Sequence, residues 1–173
     1  MNLQTNKVLI VDDNALNRDM LARRLERKGY KVIVAASARE ALERINEEEL
    51  DLVLLDIEMP EISGLEALRK IRELHSANEL PVIMVTARNQ SDDIVKALSM
   101  GANDYVTKPV DFAVALARIV TQLSHKRAQE GLKESEERYA LAALGANDGL
   151  WDWNLVTNAL YFSPRWYFIV FLH

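Results

Sequence analysis

The stretch KVLIVDD (residues 7–13) decides the fold, because it is a continuous apolar run that ends on two acidic residues. Three later runs repeat this pattern, each followed by a polar or charged side chain: DLVLL (51–55) before Asp56, PVIMV (81–85) before Thr86, and DYVT (104–107) before Lys108. Continuous apolar runs of this length are typical of strands that are covered on both faces. Because parallel strands all point the same way, their carboxyl ends meet at one edge, where open α/β sheets bind ligands.

Helix-like segments separate the apolar runs, and their caps mark where they begin. Asn14 and Asp111 are placed to cap helices, and Ser37-Glu40 and Ser63-Glu66 are capping boxes. The apolar faces of the predicted helices are Leu16, Met20, Leu21 and Leu25; Ala41, Leu42 and Ile45; Leu65, Leu68 and Ile71; Ile94, Val95 and Leu98; and Leu116, Ile119, Val120 and Leu123. The pattern predicts five βα units in a doubly wound, flavodoxin-like parallel sheet of strand order 2-1-3-4-5.

Composition excludes several classes of protein. With 173 residues and 49% hydrophobic content, the chain is long enough for one core and an appendage. A net charge of −5 without a basic stripe argues against nucleic-acid binding. The absence of cysteine excludes disulfides and thiolate metal sites. The N-terminus lacks a signal-peptide pattern, and no apolar run reaches the roughly 20 residues of a membrane helix. We therefore expect a cytoplasmic protein without membrane contact.

The predicted sheet edge gathers three carboxylates, from Asp12, Asp13 and Asp56, against the single amine of Lys108. Two carboxylates about 5 Å apart repel by about 3 kcal/mol at an effective dielectric constant of about 20, so a divalent cation would relieve the cluster. Oxygen ligands of this kind suit Mg²⁺ or Mn²⁺. Asp56 could then act as the nucleophile of a phosphoryl transfer, with Lys108 holding one phosphoryl oxygen and Thr86 donating to another.

Taken together, Asp12-Asp13, Asp56 within LLDIEMPEISG, Thr86-Ala87 and Lys108-Pro109 resemble the receiver domain of bacterial response regulators over residues 5–124. The resemblance implies that Asp56 takes a phosphoryl group from a phosphohistidine on a partner histidine kinase or phosphotransfer protein. It also implies no conventional enzymatic activity beyond self-phosphorylation from phosphodonors and autodephosphorylation.

The same resemblance assigns roles to individual residues. The implied metal ligands are Asp13, Asp56 and the backbone carbonyl of Glu58, and Asp12 would act through water. The Lys108–Pro109 peptide is expected to be cis, and Gly64 fits the glycine of the loop that follows Asp56. Thr86 and Tyr105 take the positions of a switch pair, and Glu58 and Arg88 take positions that tune dephosphorylation.

The remainder of the chain changes in composition twice. We expect residues 1–124 to form the receiver-like domain and 125–138 a charged connector that prolongs the fifth helix and could pair two chains into a homodimer. Residues 139–173 resemble the entry helix and first hairpin of a PAS domain, and they are too short for a whole one. The expectation is a truncated PAS domain that belongs to a larger output, such as a cyclic-di-GMP enzyme or a kinase.

Three other functions compete with a phosphorylated receiver. A pseudo-receiver would bind partners without accepting phosphate, although the complete acidic set argues against it. An aspartyl-phosphate phosphatase would carry its nucleophile in an Asp-x-Asp run after the first strand, whereas this chain has the adjacent pair Asp12-Asp13. A flavin binder on the same fold would suffer repulsion between the acidic pocket and the flavin phosphate.

Overall fold

The computed structural model describes residues 5–87, 91–145, 151–155, 157–163 and 166, with the backbone alone for 142–145. The chain divides into two compact units, Met1–Arg127 and Ala128–His173. Arg88, Asn147–Gly149, Val156 and most of the chain after residue 163 lie outside the described residues. The limits predicted for the receiver-like domain, the connector and the PAS-like segment stay predictions.

The first unit is built on one sheet of five parallel strands. They are β1 (Lys7–Val11), β2 (Lys31–Ala35), β3 (Leu52–Asp56), β4 (Val82–Ala87) and β5 (Asp104–Lys108). The strand order is β2-β1-β3-β4-β5, and every pairing is parallel. The structure therefore confirms the predicted doubly wound sheet and places β1 and β3 side by side at its centre.

In the described part of the chain five helices follow the five strands of the sheet, and four of them begin where the sequence predicts a cap. They are α1 (Ala15–Glu26), α2 (Ala38–Glu47), α3 (Gly64–Leu74), α4 (Ser91–Ser99) and α5 (Phe112–Gly145). The side chains of Asn14 and Ser37 accept backbone N–H bonds at the starts of α1 and α2, and Ser63 with Glu66 forms a complete capping box on α3. Asp111 accepts from the N–H groups of Ala113 and Val114 at the start of α5. These contacts satisfy backbone donors that the first turn of a helix leaves unpaired.

Two apolar cores lie on the two faces of the sheet. One contains Ala41 and Ile45 of α2 and Leu68 and Ile71 of α3. The other contains Leu21 and Leu25 of α1 with Ile119 and Leu123 of α5. The strands between them are buried on both sides: all five residues of β3 and the last four of β1 are buried. This burial explains why these strands are continuous apolar runs.

The structure corrects part of the predicted helix faces. Leu16 and Met20 are 80% and 42% exposed. At 3.6 residues per turn they lie about 140° and about 100° around α1 from Leu21, which faces the sheet. Val95 and Leu98 of α4 and Val120 of α5 are also exposed, and only Ala97 of α4 is buried. The apolar faces predicted for these helices are thus wider than the helix surface that packs against the sheet.

The second unit contains the continuation of α5 and a short hairpin. The hairpin strands β6 (Trp151–Asn154) and β7 (Ala159–Phe162) pair antiparallel, which confirms that this segment contains a hairpin. The rings of Phe162 and Trp166 pack with centroids 4.3 Å apart. Among the described helices, none combines the length and the hydropathy that crossing a membrane requires.

Candidate functional site

Three carboxylates meet at the carboxyl edge of the central strands. Asp12 and Asp13 follow β1 directly, and Asp56 is the last residue of the neighbouring β3. One carboxylate oxygen from each residue lies within 4.8 Å of those from the other two. Asp12 and Asp56 are only 3% and 1% exposed, whereas Asp13 is exposed to solvent. The structure thus brings together the three acidic residues that the sequence predicts for this site.

Lys108, at the end of β5, reaches across the end of β4 to join this cluster. Its Nζ lies 2.5 Å from Oδ2 of Asp56 and 3.3 Å from Oδ2 of Asp12. The Lys108–Pro109 peptide bond is cis. Both contacts are ion pairs with buried carboxylates, so they are screened less by solvent than surface pairs.

Burial, neighbouring charges and hydrogen bonds all shift the pKa values of Asp56 and Lys108. Burial raises the pKa of Asp56 above its ordinary value, and the charge of Asp12 adds to this, although the bonds from Lys108 and the Glu58 N–H oppose it. Burial alone would lower the pKa of Lys108, but the hydrogen bonds and charges of Asp56 and Asp12 raise it overall. The lysine is therefore held as a cation at neutral pH.

Asp12 is held by the start of α1. Its Oδ1 accepts the N–H of Asn14 at 2.8 Å, and its Oδ2 accepts the side-chain amide of Asn17 at 3.2 Å. The guanidinium of Arg18 donates to the backbone carbonyl of Asp12 at 2.6 Å. Sequence reasoning missed Asn17 and Arg18. The available signal was their place in the first turns of a helix that starts directly after the acidic pair.

The loop after β3 packs tightly against Asp56. The N–H of Glu58 donates to Oδ1 of Asp56 at 3.2 Å, and the N–H of Gly64 donates to the carbonyl of Ile57 at 2.9 Å. A Cβ on Gly64 would lie 2.0 Å from the backbone oxygen of Asp56. Glycine at this position therefore allows the start of α3 to close over the end of β3.

The two predicted switch residues lie on neighbouring strands. Thr86 on β4 is fully buried, and its Oγ1 donates to the carbonyl of Ala87 at 3.3 Å. Tyr105 on β5 pairs in register with Met84, two residues before Thr86, and it is half-buried. The guanidinium of Arg118 lies 5.2 Å from the centre of the Tyr105 ring and forms an ion pair with Asp104.

The donor set of the cluster fits a hard divalent cation. All three converging side chains offer carboxylate oxygens, the ligands that Mg²⁺ and Mn²⁺ prefer. Lys108 balances one of the three negative charges, so the remaining excess matches the charge of a divalent ion. Asp13 is exposed and offers a ligand on the solvent side of the two buried acids.

Residues 8–120 match the sequence profile of the response regulator receiver domain. The chain belongs to this family. It is 38% identical over 133 residues to the regulatory protein VanR of Enterococcus faecium, and the match covers 77% of this chain and 56% of VanR. The chain thus spans just over half the length of that relative.

Solved structures agree with this assignment of the receiver domain. A CheY-like receiver domain protein from Methanospirillum hungatei JF-1 has a TM-score of 0.69 and 34% identity, covering 73% of this chain and 99% of that one. A two-component response regulator that also carries a GGDEF domain has a TM-score of 0.69 and 30% identity, covering 72% of this chain and 51% of that one. The chain therefore contains the receiver domain of a two-component response regulator.

Proposed function

We propose that the receiver domain accepts a phosphoryl group on Asp56 in a step that depends on Mg²⁺ or Mn²⁺. The donor is a phosphohistidine on a partner histidine kinase or phosphotransfer protein. The observation that carries this proposal is the convergence of Asp12, Asp13 and Asp56 within 4.8 Å, with Lys108 in contact with two of them. A carboxylate nucleophile, a cation site and a fixed ammonium are the components that phosphoryl transfer to an aspartate requires.

In the proposed step a carboxylate oxygen of Asp56 attacks phosphorus. The O–P bond of an acyl phosphate forms, the P–N bond to the donor histidine breaks, and the imidazole leaves with the bonding pair and takes up a proton. Lys108, now 2.5 Å from Asp56, moves its contact to a phosphoryl oxygen, and Thr86 donates to another. Hydrolysis in the same pocket makes the phosphorylated state transient.

The cation would be held by Asp13, Asp56 and the backbone carbonyl of Glu58, with Asp12 acting through water. When bound, it supplies positive charge that offsets the repulsion between the incoming phosphoryl oxygens and the carboxylates. The cluster has three carboxylates and one ammonium, and this excess of two negative charges supports the binding of a divalent cation here.

Phosphorylation would then be transmitted across β4 and β5. Thr86 moves toward the phosphoryl group, and the Tyr105 ring enters the space that it leaves, which alters the surface formed by α4, β5 and α5. In support, Thr86 and Tyr105 lie on paired strands, and α5 runs without a break to Gly145.

The output that receives this signal would contain a PAS domain, of which the β6–β7 hairpin is the first part. In the whole protein it would act on a cyclic-di-GMP enzyme or a kinase. The 30% identity to a response regulator that carries a GGDEF domain supports the first of these.

Labelling with a small phosphodonor tests the proposal directly. Acetyl phosphate with Mg²⁺ should add one phosphoryl group to the wild-type protein, measured by intact-protein mass spectrometry, and none to Asp56→Asn. Omission of the cation should abolish the labelling. Equal labelling of both proteins would remove Asp56 as the acceptor, and no labelling of either would favour a pseudo-receiver that binds partners without phosphate.

A further inference from the structure

The Asp12 carboxylate is crowded by donors, and one of them has no assigned role. Oδ1 accepts the backbone N–H of Asn14 at 2.8 Å. Oδ2 is shared by the Asn17 side-chain amide at 3.2 Å and the Lys108 ammonium at 3.3 Å. Asn17 is half-buried, and it reaches Asp12 from the first turn of α1.

This sharing has two consequences for the cluster. A carboxylate bonded at both oxygens has a preferred orientation, because turning it would break directed hydrogen bonds from two protein donors. The amide N–H also competes with Lys108 for the lone pairs of Oδ2. The lysine therefore stays nearer to Asp56, at 2.5 Å, than to Asp12, at 3.3 Å.

A cavity of about 130 Å³ borders these groups on the side of α1 and the segment after β5, and its lining includes Asp12, Asn17 and Lys108. It has room for a few water molecules, at about 30 Å³ each. If the amide were removed, water could reach Oδ2 but could not hold the carboxylate in one orientation. The loss should therefore weaken the site rather than abolish it.

We propose that Asn17 is a positioning residue for cation binding at the acidic cluster, because its side-chain amide fixes Asp12 and limits the shift of Lys108 from Asp56 toward Asp12. The inference rests on the proposed function, since it assumes that the cluster binds a divalent cation. Partners that orient the groups around a metal typically change metal affinity by about 10-fold or more when they are removed.

The test compares Mg²⁺ dissociation constants by isothermal titration calorimetry. Asn17→Leu keeps the side-chain size but removes the donor, and it should raise the dissociation constant by about 10-fold. The helix cap uses only the backbone N–H of Asn17, so the variant should keep its fold, which circular dichroism checks. Met20 lines the same cavity and has no hydrogen-bond donor on its side chain, so Met20→Leu is the matched control and should bind like wild type.

A double-mutant cycle with Asp12→Ala separates positioning from a general structural effect. If Asn17 acts through Asp12, Asn17→Leu should have no further effect on Mg²⁺ affinity in the Asp12→Ala background. An equal loss in both backgrounds, or wild-type affinity in Asn17→Leu alone, would overturn the role of Asn17 while leaving the proposed function intact. A wild-type protein that binds no Mg²⁺ would overturn both.

Discussion

At the scale of single residues, Gly64 is a tightly constrained position beside the acidic cluster. A Cβ there would lie 2.0 Å from the backbone oxygen of Asp56 and 2.8 Å from the Cα of Ile57. Both obstacles are backbone atoms, which cannot rotate away as a side chain can. The first residue of α3 and the last residue of β3 must separate if any side chain is added.

We expect Gly64→Ala to lower the free energy of unfolding by about 3 kcal/mol, at the upper end of the usual overpacking cost. It should also slow labelling of Asp56, because the backbone that must shift carries the acceptor. Urea denaturation and the acetyl phosphate assay measure the two effects.

Gly131 supplies the matched control for this change. It lies inside α5 with nothing within 4 Å of the position of a Cβ. Gly131→Ala should therefore stabilise the protein by about 0.5–1 kcal/mol through helix propensity. Equal stability changes for the two variants would show that the close approach of Gly64 to the backbone of Asp56 does not determine the stability loss.

At the scale of elements, the capping box of α3 holds the loop that follows Asp56. The N–H of Glu66 donates to Oγ of Ser63 at 3.3 Å, and Oε2 of Glu66 accepts the N–H of Ser63 at 3.0 Å. The backbone bond from Ser63, followed by the bond from its hydroxyl, lowers the pKa of Glu66 below its ordinary value. The ionised carboxylate is thus the form that favours the cap.

Ser63→Ala should cost about 1 kcal/mol of stability, as is typical for the loss of an N-cap side chain. For Glu66→Ala the loss should depend on pH. Because folding lowers this pKa, the carboxylate contributes stability above pH 4.5, and that contribution disappears as pH falls through the folded-state value. Thermal unfolding of wild type and variant should therefore converge in acid.

Glu73→Ala removes a carboxylate from the other end of α3 and controls for the loss of charge itself. Because Glu73 takes no part in the cap, its replacement should not reproduce the loss of the capping box. A gap between wild type and Glu66→Ala that widens in acid would contradict the assigned direction of the pKa shift.

Helix α5 is a second element whose contacts bear on function. Lys126 donates to Oδ1 of Asp51 at 3.2 Å and to the carbonyl of Leu50 at 3.3 Å, and Arg127 donates to Asn6 at 2.9 Å. Asp51 directly precedes β3, the strand that ends in Asp56. These polar contacts fix α5 within the first unit as far as residue 127.

At the scale of the whole molecule, the homodimer that the sequence suggests would form through α5 and the connector. Leu132 and Tyr139 lie seven residues apart on α5 and are 56% and 64% exposed. A spacing of seven on a helix is the repeat of a coiled coil, and a second copy of this helix would bury both side chains.

We expect beryllofluoride with Mg²⁺, which mimics the acyl phosphate, to shift the full chain toward a dimer in sedimentation velocity and crosslinking. Asp56→Asn should show no shift, and Leu132→Lys should weaken the dimer without changing acetyl phosphate labelling. The same oligomeric state and crosslinking pattern for wild type and Asp56→Asn, with and without beryllofluoride, would contradict the coupling of the site to α5.

The sequence was sufficient to predict the elements and the acidic cluster, because both follow from local rules. A strand buried on both faces must be apolar along its length, and parallel strands must bring their carboxyl ends to one edge. Asp12, Asp13 and Asp56 could therefore be placed together from their positions after strands. The caps of α2 and α3 were equally local, since each joins residues three apart.

Other contacts between side chains were decided only by the tertiary structure. Leu16 and Val95 satisfy an apolar period, yet they are exposed, because only packing defines how much of a helix the sheet covers. The half-buried Arg72 donates to the carbonyls of Leu80 and Gly101, residues that no periodicity connects. The bond from Asn17 to Asp12 likewise depends on the angle at which α1 leaves the sheet. Local sequence sets backbone geometry and burial preference, whereas contacts between distant side chains depend on the packing of all elements at once.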